Sequence, residues 1–179
     1  HYTSQVQFSQ KNIFFNFLSK ACPSFLKRFF LLVFKFSSFY PSFKTVNKIS
    51  KESLERIKKD IKQAEDEGCT ILVDGRNKIV ESCEGGFWLG PTIIDNLSPT
   101  SELATKEIFG PVLCIVRVNN LNEALEIDNK SPYGNASSIF TNSLEISRKW
   151  SENANAGMIG VNIGVPVPRE PFSFGGWNA

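Results

Sequence analysis

Acidic side chains are missing from the first 48 positions. Residues 1–48 carry seven basic residues (Lys11, Lys20, Lys27, Arg28, Lys35, Lys44 and Lys48) and neither Asp nor Glu. Residues 49–179 therefore hold 20 − 7 = 13 basic residues against all 18 acidic ones, a balance of −5. The formal charge of +2 is thus the sum of two unlike segments. The basic excess lies wholly in the first, so the remainder is not expected to bind nucleic acid through its charge. Histidine is nearly absent, the single one being His1, and the four cysteines, Cys22, Cys69, Cys83 and Cys114, form no C-x-x-C pair. Neither a metal site nor a disulfide framework is expected from such spacings. Long apolar runs are lacking as well. The most apolar stretch, 25–36, has Phe29–Phe34 as its longest uncharged run, far short of the roughly 20 residues a membrane-spanning helix needs.

What residues 1–48 do contain is phenylalanine, eleven of the sixteen in the chain, with serine and lysine. Three readings of this segment stand. Acid-poor, Ser-containing basic sequence resembles a mitochondrial transit peptide, although such peptides are richer in Arg. A basic amphipathic helix lying on a membrane surface is the second reading, and sequence foreign to the following domain is the third. The chain opens on His1 and ends on Asn178-Ala179 after a Gly-Gly-Trp turn, and both ends read as cut. We expect residues 1–48 to form a segment apart and residues 49–179 to form part of one domain.

From Val46 onward the texture becomes that of an α/β protein. Ser50 with Glu52 behind it starts a helix whose apolar positions Leu54, Ile57, Ile61 and Ala64 recur at spacings of three and four, up to Gly68. Cys69–Val73 reads as a strand, Asp74-Gly75-Arg76-Asn77 as a turn, and Phe87–Ile94 as a strand kinked at Gly90-Pro91. Residues 112–118 form a buried strand. Asn120 caps a helix over 121–129 with Leu121, Ala124, Leu125 and Ile127 inward, and Ser131–Asn135 breaks it. A small-residue strand at 136–141, a helix from Ser143 to Asn155 and a strand at 158–163 complete the alternation, which implies a sheet with crossover helices. Cys114 lies inside the apolar strand, where packing is the expected role of a thiol.

The stretch with the most chemistry is Lys106-Glu107-Ile108-Phe109-Gly110-Pro111-Val112. Its Gly-Pro fixes the backbone path at the entrance of the buried strand and leaves Glu107 and Phe109 projecting where a ligand can meet them. A solvated carboxylate and a core aromatic are the alternative reading of the same two residues.

This stretch resembles the E-I-F-G-P-V motif of the aldehyde dehydrogenase superfamily, and the resemblance extends over residues 50–177. It is carried in order by G-P-T at 90–92, K-E-I-F-G-P-V at 106–112, L-N-E-A at 121–124, P-Y-G-N at 132–135, G-x-x-G-V-N at 157–162 and F-S-F-G-G-W at 172–177. V-P-V-P at 165–168, L-V-D-G-R at 72–76 and G-G-F-W-L-G-P-T at 85–92 are most similar to the CoA-acylating methylmalonate-semialdehyde branch. The resemblance implies a three-layer α/β catalytic-domain fragment with a mostly parallel sheet. It implies NAD as cofactor, with Glu107 on the nicotinamide-ribose hydroxyls and Phe109 against the nicotinamide. Asn162, Phe172 and Phe174 would then be near the aldehyde, with core or loop packing as the competing reading; Tyr133 and Trp177 are expected to be structural. The parent enzyme would oxidise methylmalonate or malonate semialdehyde to an acyl-CoA in valine and pyrimidine catabolism, as a homotetramer in the mitochondrion.

Two departures from the family pattern qualify this. The family takes its nucleophile from an F-x-x-x-G-Q-x-C type segment, and no such segment occurs in residues 1–179, nor does Cys22 in Lys20–Ser24 match it. No residue is therefore assigned as catalytic. Asn178 also stands where the family has Lys after F-G-G-W. A catalytically inactive fragment or pseudogene product, retaining the fold without the activity, is the alternative reading for the chain as it stands.

Overall fold

The computed structural model describes residues 5–8, 13–17, 46–47, 50–80, 83, 85–164 and 171. In chain order its elements are β1 (Gln5–Phe8), β2 (Ile13–Phe17), β3 (Val46–Asn47), α1 (Lys51–Asp66), β4 (Thr70–Val73), β5 (Trp88–Leu89), β6 (Thr92–Asp95), α2 (Glu102–Thr105), β7 (Val112–Val118), α3 (Leu121–Asn129), β8 (Ala136–Phe140), α4 (Leu144–Asn153) and β9 (Met158–Val161). They fall into two compact units, one of Lys20–Asn96 with Ile108–Leu113, the other of His1–Ser19, Leu97–Glu107 and Cys114–Ala179.

In the first of these units, α1 begins where the Ser50 side chain accepts a hydrogen bond from the Ser53 amide at 3.2 Å. It buries the expected stripe of Leu54, Ile57, Ile61 and Ala64. Its end is set by Gly68 at φ +87°, a left-handed conformation that costs glycine little. The Cys69 amide donates to the Ala64 carbonyl and the Gly68 amide to the Glu65 carbonyl, the paired closure that satisfies otherwise orphaned helix carbonyls. β4 pairs antiparallel with β6 through a register shift between Ile71 and Val73. β3 pairs antiparallel with β5. The kink expected at Gly90-Pro91 appears as the break between β5 and β6.

The turn after β4 is sewn to that break. The Gly75 amide donates to Thr92 Oγ1 at 3.1 Å, and the Gly75 carbonyl accepts from the Gly90 amide at 2.9 Å and from Lys78 at 3.3 Å. L-V-D-G-R and G-P-T, distant in sequence, thus form one packed corner, with Thr92 fully buried. A Cβ at Gly75 would run into the Gly90 carbonyl. We expect Gly75→Ala to lower stability by about 1–3 kcal/mol through overpacking. Gly68→Ala, with open space around its Cβ, should cost only about 1 kcal/mol from its positive φ. Thermal unfolding of the two variants side by side gives the comparison; equal losses would count against the corner.

Arg76 closes the same turn. Its guanidinium donates to both oxygens of Asp74, at 2.6–3.0 Å, and to Glu65 Oε2 on α1 at 3.1 Å. Hydrogen bonds from Arg76 hold the Asp74 carboxyl below its ordinary value of 3.8 despite partial desolvation. A folded pKa below the unfolded one gives stabilisation that is complete above the unfolded value and lost as pH falls through the folded one. Tm should therefore drop on acidification below about pH 4, and Asp74→Asn should flatten that part of the profile. An unchanged acid limb in Asp74→Asn would remove Asp74 as its cause.

In the other unit the strand order is β7-β2-β1-β8-β9, with β7 entering from residues 112–113 of the first unit. β2 runs parallel to β7, β1 antiparallel to both β2 and β8, and β9 parallel to β8. The α/β reading stands, but the sheet is mixed rather than mostly parallel. Only residues 9–12 separate β1 from β2, too few for the crossover that a parallel pair requires. These two strands also lie in the segment 1–48, which the composition sets apart from the remainder. The alternation that marks a strand is weak there, because I-F-F-N-F sets Phe14 beside Phe15 and so shows no clean two-residue period.

α3 starts at Asn120, whose Oδ1 accepts from the Glu123 amide, while Glu123 Oε2 returns to accept from the Asn119 amide at 2.8 Å. Ala124 and Leu125 are buried; Leu121 and Ile127 are half-buried. α4 ends at Asn153, two residues before the expected Asn155. Asn129 takes over its terminal groups, donating from Nδ2 to the Asn153 carbonyl and accepting from the Asn155 amide at Oδ1, both at 2.9 Å. The short α2, capped by Ser101, was not expected.

Candidate functional site

The K-E-I-F-G-P-V stretch follows α2. Leu103 and Ala104 of that helix are buried, and it closes with the Lys106 amide donating to the Glu102 carbonyl while Lys106 itself turns extended. Glu107 comes next, half-buried, and is the last residue of its unit's 97–107 segment.

Phe109 lies in the 108–113 segment of the other unit. The Gly110 amide donates to the Ile108 carbonyl at 2.8 Å, and the Val112 amide to the Gly110 carbonyl at 2.8 Å. These are two successive three-residue turns, centred on Phe109 and Pro111. The Phe109 side chain leaves its turn outward, 72% exposed, whereas Ile108 before it and Pro111, the centre of the second turn, are buried. The core-plug reading of Phe109 is thereby excluded. Gly110 is needed on its inner side, where a Cβ would stand 2.8 Å from Ile57 Cδ1 of α1. A carboxylate with two acceptor oxygens and, two residues on, an outward aromatic face are groups suited to vicinal hydroxyls and to a flat heteroaromatic ring.

Asn162 follows β9 at φ +56°. Its Oδ1 accepts from the Thr141 amide at 2.8 Å, its Nδ2 donates to the Thr141 carbonyl at 3.0 Å, and its own amide donates to the Ile139 carbonyl. The whole amide side chain is engaged with the backbone leaving β8, so it acts as a clamp between the ends of two parallel strands. The strand expected over 158–163 ends at Val161, and the one signal the sequence offered was the residue type, since asparagine is among the few residues that tolerate the left-handed region. Tyr133 is half-buried, and its amide donates to Ser131 Oγ at 3.2 Å. Phe172, Phe174, Trp177 and Cys22 lie outside the described residues.

Of the thiols described, Cys114 is 2% exposed inside β7, Cys69 is half-buried and Cys83 exposed, and none is in a disulfide. Among the described residues no cluster of three His, Cys, Asp or Glu side chains is arranged for a metal ion, and no helix is long and apolar enough to cross a membrane.

A profile of the aldehyde dehydrogenase family matches residues 38–179. The malonate-semialdehyde dehydrogenase of Pseudomonas aeruginosa is 45% identical over 111 residues, 62% of this chain and 22% of that protein. A Caenorhabditis elegans protein named "probable methylmalonate-semialdehyde/malonate-semialdehyde dehydrogenase [acylating], mitochondrial" is 43% identical over 128 residues, 72% of this chain and 24% of its own length. Among solved structures, a Mycobacterium tuberculosis aldehyde dehydrogenase complexed with NAD+ superposes with a TM-score of 0.64 at 30% identity, covering 74% of this chain and 26% of that one. The chain spans about a quarter of the length of the relatives it matches.

Proposed function

Because this chain belongs to the aldehyde dehydrogenase family, we propose that it supplies the nicotinamide-facing part of an NAD-dependent semialdehyde dehydrogenase that transfers the acyl group to CoA. Methylmalonate or malonate semialdehyde is the proposed substrate, the mitochondrion the proposed site of action and a homotetramer the proposed assembly of the whole enzyme. Residues 49–179 are taken as the catalytic-domain portion and 1–48 as a segment of unlike composition, whose β1 and β2 nevertheless pair with β8 and β7.

The observation that carries the proposal is Phe109, held outward by its turn, two residues beyond the half-buried Glu107. In this reading Glu107 accepts hydrogen bonds from the nicotinamide-ribose hydroxyls, which fixes the sugar. The Phe109 ring lies against the nicotinamide, restricting its rotation and excluding water from one face. Bound NAD supplies the hydride acceptor. Asn162 acts through its clamp on Thr141, holding the start of the segment that leads to Phe172 and Phe174, the side chains proposed to face the aldehyde. For residues 1–179 alone, the lack of an F-x-x-x-G-Q-x-C segment favours a chain without turnover of its own.

The test is a chimera in which residues 50–179 replace the matching part of the Pseudomonas aeruginosa malonate-semialdehyde dehydrogenase. It should form acyl-CoA from the semialdehyde with NAD. Glu107→Ala in the chimera should raise the KM for NAD at least ~10-fold, since a hydrogen bond to a charged group contributes about 1.5–3 kcal/mol. An unchanged KM would remove Glu107 from the cofactor site, and a chimera that favours other aldehydes and ignores CoA would overturn the substrate assignment.

A further inference from the structure

No further inference is drawn: the strongest candidate, the surface patch of exposed Val161 and Ile163 at the end of β9, carries nothing because no feature of the structure shows what covers it.

Discussion

Purified chain mixed with methylmalonate semialdehyde, CoA and NAD should form no detectable NADH. Oxidation of an aldehyde to an acyl product by this family's route begins with a thiolate that adds to the carbonyl, so that hydride can leave from a covalent adduct. The thiols available are poorly suited to that step. Cys114 is packed inside β7 at 2% exposure, and the chain's single histidine is His1. Loss of the nucleophile in a comparable covalent mechanism lowers turnover on the order of a millionfold. Cofactor binding should be weak too, no tighter than about millimolar, because Glu107 and Phe109 are proposed to meet only the nicotinamide end, a small share of the contacts a dinucleotide can make. Absorbance of NADH with and without CoA, and calorimetric titration with NAD, measure the two parts. Activity that Cys114→Ser abolished would show that the buried thiol had been misread, and that the chain is catalytically competent.

Trp150→Ala should be the most damaging single substitution in the described fold, with a loss of about 3–5 kcal/mol. Trp150 is the one buried residue of α4 and is 0% exposed. Its indole Nε1 donates to Ser137 Oγ on β8 at 2.8 Å. It therefore fixes helix to sheet both by packing and by a directed bond between buried groups. Against the 5–15 kcal/mol typical of whole domains, such a loss would leave the unit barely folded. Trp150→Phe retains most of the apolar area and should lose less, about 1–3 kcal/mol, from leaving the Ser137 hydroxyl without its donor. Urea denaturation followed by far-ultraviolet circular dichroism ranks the two variants. Equal losses, or a loss below about 1 kcal/mol for alanine, would show that α4 is held elsewhere.

The sequence by itself determined the elements whose causes are local. Leu54, Ile57, Ile61 and Ala64 mark the buried face of α1 because a helix returns to the same side every three or four residues. Ser50, Asn120 and Ser143 mark helix starts because a short polar side chain satisfies an orphan amide two or three residues on. The apolar run of β7 and the projection of Phe109 beside Gly110-Pro111 were legible for the same reason, since a handful of adjacent residues restricts the backbone.

Tertiary structure decided whatever depends on partners far along the chain. Neither periodicity nor capping says that β1 and β2 stand between β7 and β8, because strand pairing is chosen by edges that meet only in the folded chain. The early end of α4 needed Asn129, 24 residues away, to take the Asn153 carbonyl. Asn162 showed only its residue type in the sequence; that its amide is committed to Thr141, 21 residues before it, follows from two parallel strands ending side by side. Gly75 likewise reads as an ordinary turn glycine until Gly90 packs against it, and the reason no side chain fits there is a backbone neighbour that only folding brings close.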